Sequence, residues 1–129
     1  MQFDKDMNSE LAELFLDVRA FIIKEINKTG YDTKERYKEN ITSFFTDEFN
    51  NGYCYIKTKD DYVRLGWFRG SYMIDKFDFL TGNGKYLRGQ NIKEFNTMQK
   101  NAVKFYIKET HNILLEHEAK KDLKKAMRD

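Results

Sequence analysis

"YCYIKTKDDYVRLGWF", residues 53–68, decides the fold. Two runs rich in β-branched and aromatic residues, 53–58 and 62–68, flank the polar triplet Lys59-Asp60-Asp61. That is the pattern of two antiparallel strands joined by a tight hairpin. In the second run Val63, Leu65 and Trp67 alternate with Tyr62, Arg64, Gly66 and Phe68. One face is therefore apolar and the other mixed, suited to solvent or to a helix. The continuation "LGWFRGSYMID" (65–75) extends this core strand into a glycine turn whose arginines reach the surface. Gly66 and Gly70 suggest close packing or a positive φ there.

Further along, "TGNGK" (81–85) is a loop and "KYLRGQNI" (85–92) a further strand. From about Phe95 the pattern is helical, with Met98, Val103, Tyr106, Ile107, Ile113 and Leu114 on the inner face. Toward the N-terminus, "ITSFF" (41–45) is a strand or an extended entry to one, and "NNG" (50–52) a hairpin turn. "DTKERYKEN" starts at Asp32 with Glu35 three residues on, a capping-box-like opening that predicts a short helix. Leu11, Leu14, Phe15, Val18, Phe21, Ile22 and Ile26 recur at helical spacing, predicting an amphipathic helix over 10–28. Ser9 or Asn8 suits its start and Gly30 its end.

The 129 residues suit one domain spanning 1–129, with 1–9 as a tail that frays and 118–129 either continuing the last helix outward or fraying. Aromatic residues make up 16% of the chain, with 11 Phe and 8 Tyr, so rings dominate the core. The 34% charged residues account for the mean hydropathy of −0.79 without calling for disorder. A single cysteine, no apolar run near a membrane span and an acidic, polar N-terminus predict a soluble cytoplasmic protein. Charge is uneven: residues 1–50 carry 7 Lys and Arg against 11 Asp and Glu, and residues 51–129 carry 16 against 10. A basic partner surface and an inconsequential dipole both fit that split.

The chemistry-bearing motifs are sparse. Cys54 sits mid-strand beside Ile56 and is expected in the core. His111 and His117 are six apart on a helix and cannot form an i, i+4 metal pair. "TGNGKY" lacks the first glycine of a phosphate-cradling loop, since Phe79 stands there, and has Tyr86 where Ser or Thr belongs. It is expected to be a surface loop or a modest anion contact. Arg64, Arg69, Lys85 and Arg88 are interleaved with Trp67, Phe68, Tyr72 and Tyr86. Charge plus stacking rings fits nucleic-acid binding, although the signature of the four-stranded RNA-binding domains is missing. Asp6, Glu10, Glu13 and Asp17 fall within about 60° of one another if a single helix carries them. Such a stripe suits weak binding of a hard cation such as iron(II) or magnesium, or simply a solvated face.

The block 53–92 resembles the YdhG-like family, small bacterial cytoplasmic proteins of unknown function. The resemblance rests on Cys54-Tyr55-Ile56, on Tyr62 to Trp67, on Gly70 with Met73 to Asp75, on Leu80-Thr81-Gly82-Asn83-Gly84-Lys85, and on Arg88. Where that family has a lysine-aromatic pair followed by a proline, this chain has "YKENITSFF". The resemblance implies an α+β fold, a twisted antiparallel sheet flanked by N-terminal and C-terminal helices. Some members are compared to frataxins and proposed as iron chaperones, which makes Glu10, Glu13 and Asp17 the implied iron surface. No family catalytic motif carries over. The leading expectation is therefore a small non-enzymatic binding module, with weakly bound iron and an unidentified protein partner. The alternative is an anion or nucleic-acid binder, whose ligand groove lies where Arg64, Arg69, Lys85 and Arg88 converge.

Overall fold

The computed structural model describes residues 1–128. Helices α1 (Gln2–Met7) and α2 (Ala12–Asn27) come first. The strands β1 (Lys34–Tyr37), β2 (Thr42–Phe45), β3 (Cys54–Thr58), β4 (Val63–Trp67) and β5 (Arg88–Ile92) follow, and then helix α3 (Thr97–Arg128). The strands form one sheet in sequence order, each antiparallel to its neighbour. The fold is α+β.

The 53–68 hairpin sits in the centre of the sheet, with Cys54 opposite Trp67 and Thr58 opposite Val63. Lys59 N–H closes it on the Tyr62 carbonyl at 2.8 Å. Period-2 alternation sends Phe44, Cys54, Ile56, Val63, Leu65 and Trp67 to one face, where all are buried. Phe15, Val18, Ile22 and Ile26 of α2 and Val103, Tyr106, Ile107 and Leu114 of α3 complete the same cluster. Fully burying one such side chain contributes roughly 1.5–3 kcal/mol. The polar end of Trp67 is satisfied: its Nε1 donates to Gln90 Oε1 at 3.2 Å, and Gln90 Nε2 donates to Gln99 Oε1 at 2.7 Å.

Four expectations are corrected. Residues 34–37 form strand β1, where the capping-box pattern predicts a helix. Thr33 N–H and Oγ1 both bond Asn27 Oδ1, at 2.9 and 2.7 Å, which swings the chain back over the end of α2. Glu35 then pairs with Arg19 of α2 in place of capping anything. Charged "KERY" suits an edge strand, which charge protects from further pairing.

The 10–28 helix is interrupted at its start. Asn8–Leu11 is a turn in which Ser9 Oγ donates to the Asp6 carbonyl at 3.0 Å and accepts the Leu11 N–H at 3.1 Å. The N-terminal segment does not fray, because buried Asp6 accepts from Thr58 N–H at 2.9 Å, Thr58 Oγ1 at 2.7 Å and Gln2 Nε2 at 2.8 Å. At the other end the first alternative holds: α3 runs on through Arg128, helped by its strong helix formers and a Glu116–Lys120 pair at 3.0 Å. Asp129 lies outside the described residues. The fourth correction is Met98, which faces solvent at 55% exposure because Asn96 Oδ1 caps the Gln99 N–H and sets the phase of the first turn.

Among the described residues no helix is long and apolar enough to cross a membrane.

Candidate functional site

The helices gather on one face of the sheet, and among the described residues none lies over the other. Strand register assigns that open face to Lys34 and Arg36, Ser43 and Phe45, Tyr55 and Lys57, Arg64 and Gly66, and Gly89 and Asn91. Phe68 extends it past the end of β4, with its ring 6.0 Å from that of Tyr55. Four of these strand residues are cationic and none is a carboxylate. Lys57 and Arg64 stand directly opposite each other.

Two glycines let the large side chains lie down on the backbone. Gly66 and Gly89 are cross-strand partners. Three ring carbons of Tyr55 come within 2.5 Å of where a Cβ on Gly66 would stand, so only glycine admits that ring. The Arg64 guanidinium occupies the same position over Gly89. It is oriented by Asn91 Oδ1, 2.9 Å from its Nη1, and by a long contact of 3.4 Å from Nε to the Tyr55 hydroxyl. A flat ring and a flat guanidinium thus lie side by side on the sheet, the geometry that stacks against a planar group.

At the β1–β2 side the open face deepens into a cleft of about 710 Å³. Ser43, Phe45 and Phe68 line it together with Arg36, Lys38, Arg69, Lys85 and Tyr86. Arg36 lies over the Phe45 ring at 4.5 Å, and Tyr86 is contacted by Arg69 at 5.6 Å and by Lys85 at 5.3 Å. Asp47 is the acid of the lining, and it pairs with Lys34 at 3.3 Å. The Nε–H of Arg69 is buried with no hydrogen-bond partner among the described residues. A buried unpaired donor of that kind is costly. Burial lowers the Lys57 pKa, and the positive charges of Lys59, Lys5 and Arg64 add to the effect, with Asp6 opposing it.

The four cations expected to converge divide three ways. Arg69 and Lys85 meet around Tyr86 in the cleft. Arg64 lies on the open face, away from the cleft lining. Arg88 does not join them: its Nη1 donates to the carbonyls of Gly84 and Leu87, the latter at 2.8 Å, so it holds the glycine loop together. Gly70 is glycine because the Arg88 stem packs there, with Cγ 2.8 Å from a would-be Cβ. Arg36, Lys38, Phe45, Tyr55 and Lys57 escape the sequence reasoning. Misassigning β1 hid the first two, while the shared parity of Tyr55, Lys57 and Arg64 was available as a signal.

The acidic residues are differently placed. Asp6 belongs to α1 and is committed to Thr58 and Gln2. Glu10 lies in the turn before α2, and Glu13 and Asp17 lie on α2, all exposed. Among the described residues no group of three or more His, Cys, Asp and Glu is arranged to hold a metal ion. Cys54 is fully buried, and burial pushes its thiol pKa well up. Tyr53 Oη and His111 Nδ1 meet at 2.8 Å, joining the residue before β3 to α3. Burial pushes the Tyr53 pKa up to about 12 and lowers that of His111, so both stay neutral near pH 7.

Comparison with protein-family models, with curated proteins and with solved structures finds no significant match for the chain.

Proposed function

We propose that this chain binds single-stranded nucleic acid across the open face of its sheet. The observation that carries the proposal is the composition of that face. Flat-lying Tyr55, with Phe45 and Phe68, alternates there with Arg36, Lys57 and Arg64, and no strand residue of the face is acidic. Rings accept unstacked bases, each worth roughly 1–3 kcal/mol, while the cations follow the backbone phosphates. A phosphate beside Lys57 would relieve its depressed pKa. A duplex hides its base faces and would leave the rings idle, so the single strand is the better fit.

Fluorescence anisotropy of a labelled oligothymidylate, measured across a salt series, tests this. Binding is expected to weaken as salt rises, with a slope of about −0.7 for each phosphate engaged. Phe68→Ala is expected to weaken it about tenfold, the loss of one stacked base. Lys57→Glu is expected to weaken it further and flatten the salt slope. Absence of binding at low salt, binding indifferent to both substitutions, or preference for duplex over single strand would each overturn the proposal.

A further inference from the structure

From Ala119 onward α3 is unpacked. Leu114 is the last buried residue, and every residue from Ala119 to Arg128 is exposed, with Leu123 at 61% and Met127 at 78%. At 1.5 Å per residue, Glu116–Arg128 projects about 20 Å. A helix end built this way derives little stability from the core, so its surface is free for a partner.

Its charges are sorted. At 100° per residue, Lys120, Lys121, Lys124, Lys125 and Arg128 fall within an arc of about 140°. His117 lies inside that arc. Leu115, Ala119, Leu123, Ala126 and Met127 occupy the far side, between about 220° and 340° on the same scale. Glu118 and Asp122 lie just beyond the basic arc, and Glu116 is engaged by Lys120 at 3.0 Å.

The basic arc is tied to the cleft by a run of rings. His117 meets Tyr72 edge-on at 5.4 Å. Tyr72 stacks on Tyr86 at 5.8 Å and 16°. Tyr86 in turn carries Arg69 and Lys85, which line the cleft. Because His117 shares the arc with the five cations, its contact with Tyr72 turns that arc toward the Tyr72–Tyr86 stack. Open face, cleft, tyrosine stack and helix thus form one basic and aromatic path.

We infer that the projecting half of α3 is a second contact for the same nucleic-acid strand, which runs from the sheet past Tyr86 and Tyr72 onto Lys120, Lys124 and Arg128. The inference rests on the open-face proposal, and strand length separates the two. A single compact site of this kind covers roughly 4–16 nucleotides, so an oligothymidylate of about 8 nucleotides probes the face alone. One of about 30 nucleotides reaches the helix as well.

The test is the triple variant Lys120→Glu/Lys124→Glu/Arg128→Glu in the full chain. These side chains are exposed beyond the core, and circular dichroism checks that the helix persists. The variant is expected to bind the short strand as the unsubstituted chain does. It is expected to bind the long strand at least tenfold more weakly, with a salt slope smaller by about 2, three phosphates at about 0.7 each. Equal long-strand affinity and slope in the two proteins would overturn the inference while leaving the open face intact. Failure of the unsubstituted chain to bind the short strand would instead sink the open-face proposal, and this inference with it. A basic helix with an apolar back also suits an anionic membrane. Binding to phosphatidylserine vesicles that Leu123→Ser/Met127→Ser abolishes, together with unchanged long-strand binding by the triple variant, would assign the helix to lipid and overturn the inference.

Discussion

Gly66→Ala tests whether the Tyr55 ring lies flat on the sheet, on which the platform depends. A Cβ at position 66 would have three ring carbons within 2.5 Å, far inside the 3.5–4.0 Å or so of ordinary carbon contact. The ring must therefore lift by more than an ångström, which disturbs its contacts with Phe68, 6.0 Å away between centroids, and with Arg64, whose Nε lies 3.4 Å from its hydroxyl. Overpacking of this kind costs about 1–3 kcal/mol. Against it stands the gain from replacing glycine in mid-strand, about 0.5–1 kcal/mol. The expected net loss is about 1–2 kcal/mol. Tyr55→Ala removes the obstacle, so in that background Gly66→Ala should be neutral or stabilising by about 0.5 kcal/mol. The two sites should then couple by about 1–2.5 kcal/mol. Urea unfolding followed by the fluorescence of Trp67, the sole tryptophan and fully buried, supplies all four free energies of the cycle. If Gly66→Ala costs the same in both backgrounds, within about 0.5 kcal/mol, the ring does not lie where the argument needs it.

Two further predictions concern the scaffold. His111 has a folded pKa below its ordinary value because burial disfavours the charged form. Its contribution is therefore present in full above the unfolded value of about 6.5 and lost as pH falls through that value toward the folded one. Denaturation midpoints should drop between about pH 7.5 and 5, and His111→Gln should flatten that drop; an unchanged pH profile would refute the assignment. Asp6→Ala removes three hydrogen bonds and orphans Thr58 Oγ1 and N–H. It should cost about 2–4 kcal/mol and speed amide exchange throughout α1, without changing oligonucleotide affinity.

The central hairpin was legible because two independent signals agreed on it. Strict alternation of Val63, Leu65 and Trp67 set the buried face, and Lys59-Asp60-Asp61 set the turn. α2 was legible for the same kind of reason, since its apolar stripe has the helical period over sixteen residues. β1 was not. "KERY" carries no apolar alternation, because an edge strand over solvent needs none, and the spacing of Asp32 and Glu35 imitates a capping box. What makes it a strand is tertiary: Glu35 reaches Arg19 and Thr33 reaches Asn27. That miss removed Arg36 and Lys38 from the site and left the basic cluster looking like a property of β4 and the glycine loop alone. Arg88 was misjudged for a different reason. Sequence counts its charge, but in the fold its guanidinium is occupied by the carbonyls of its own loop.

A solvated sheet face must be polar in any case, so cations on it are weak testimony by themselves. The sign distribution is stronger. Lys57 and Arg64 are direct cross-strand partners, and like charges so placed destabilise a sheet. Selection for stability alone would put Glu at one of the two positions, as it puts Glu116 beside Lys120 on α3 and Glu35 beside Arg19 at the sheet edge. On the open face the opposite holds. Arg64 is steered by neutral Asn91 and Tyr55, Lys57 has its pKa depressed partly by surrounding cations, and Arg69 keeps a buried N–H unpaired. Each is an unrelieved cost in the free protein, and those of Arg64 and Lys57 are relieved by the same kind of ligand, one bringing several negative charges at once. The Tyr55 ring laid flat over Gly66 and the cation–π pairs of the cleft narrow that ligand from any polyanion to one that also presents planar faces.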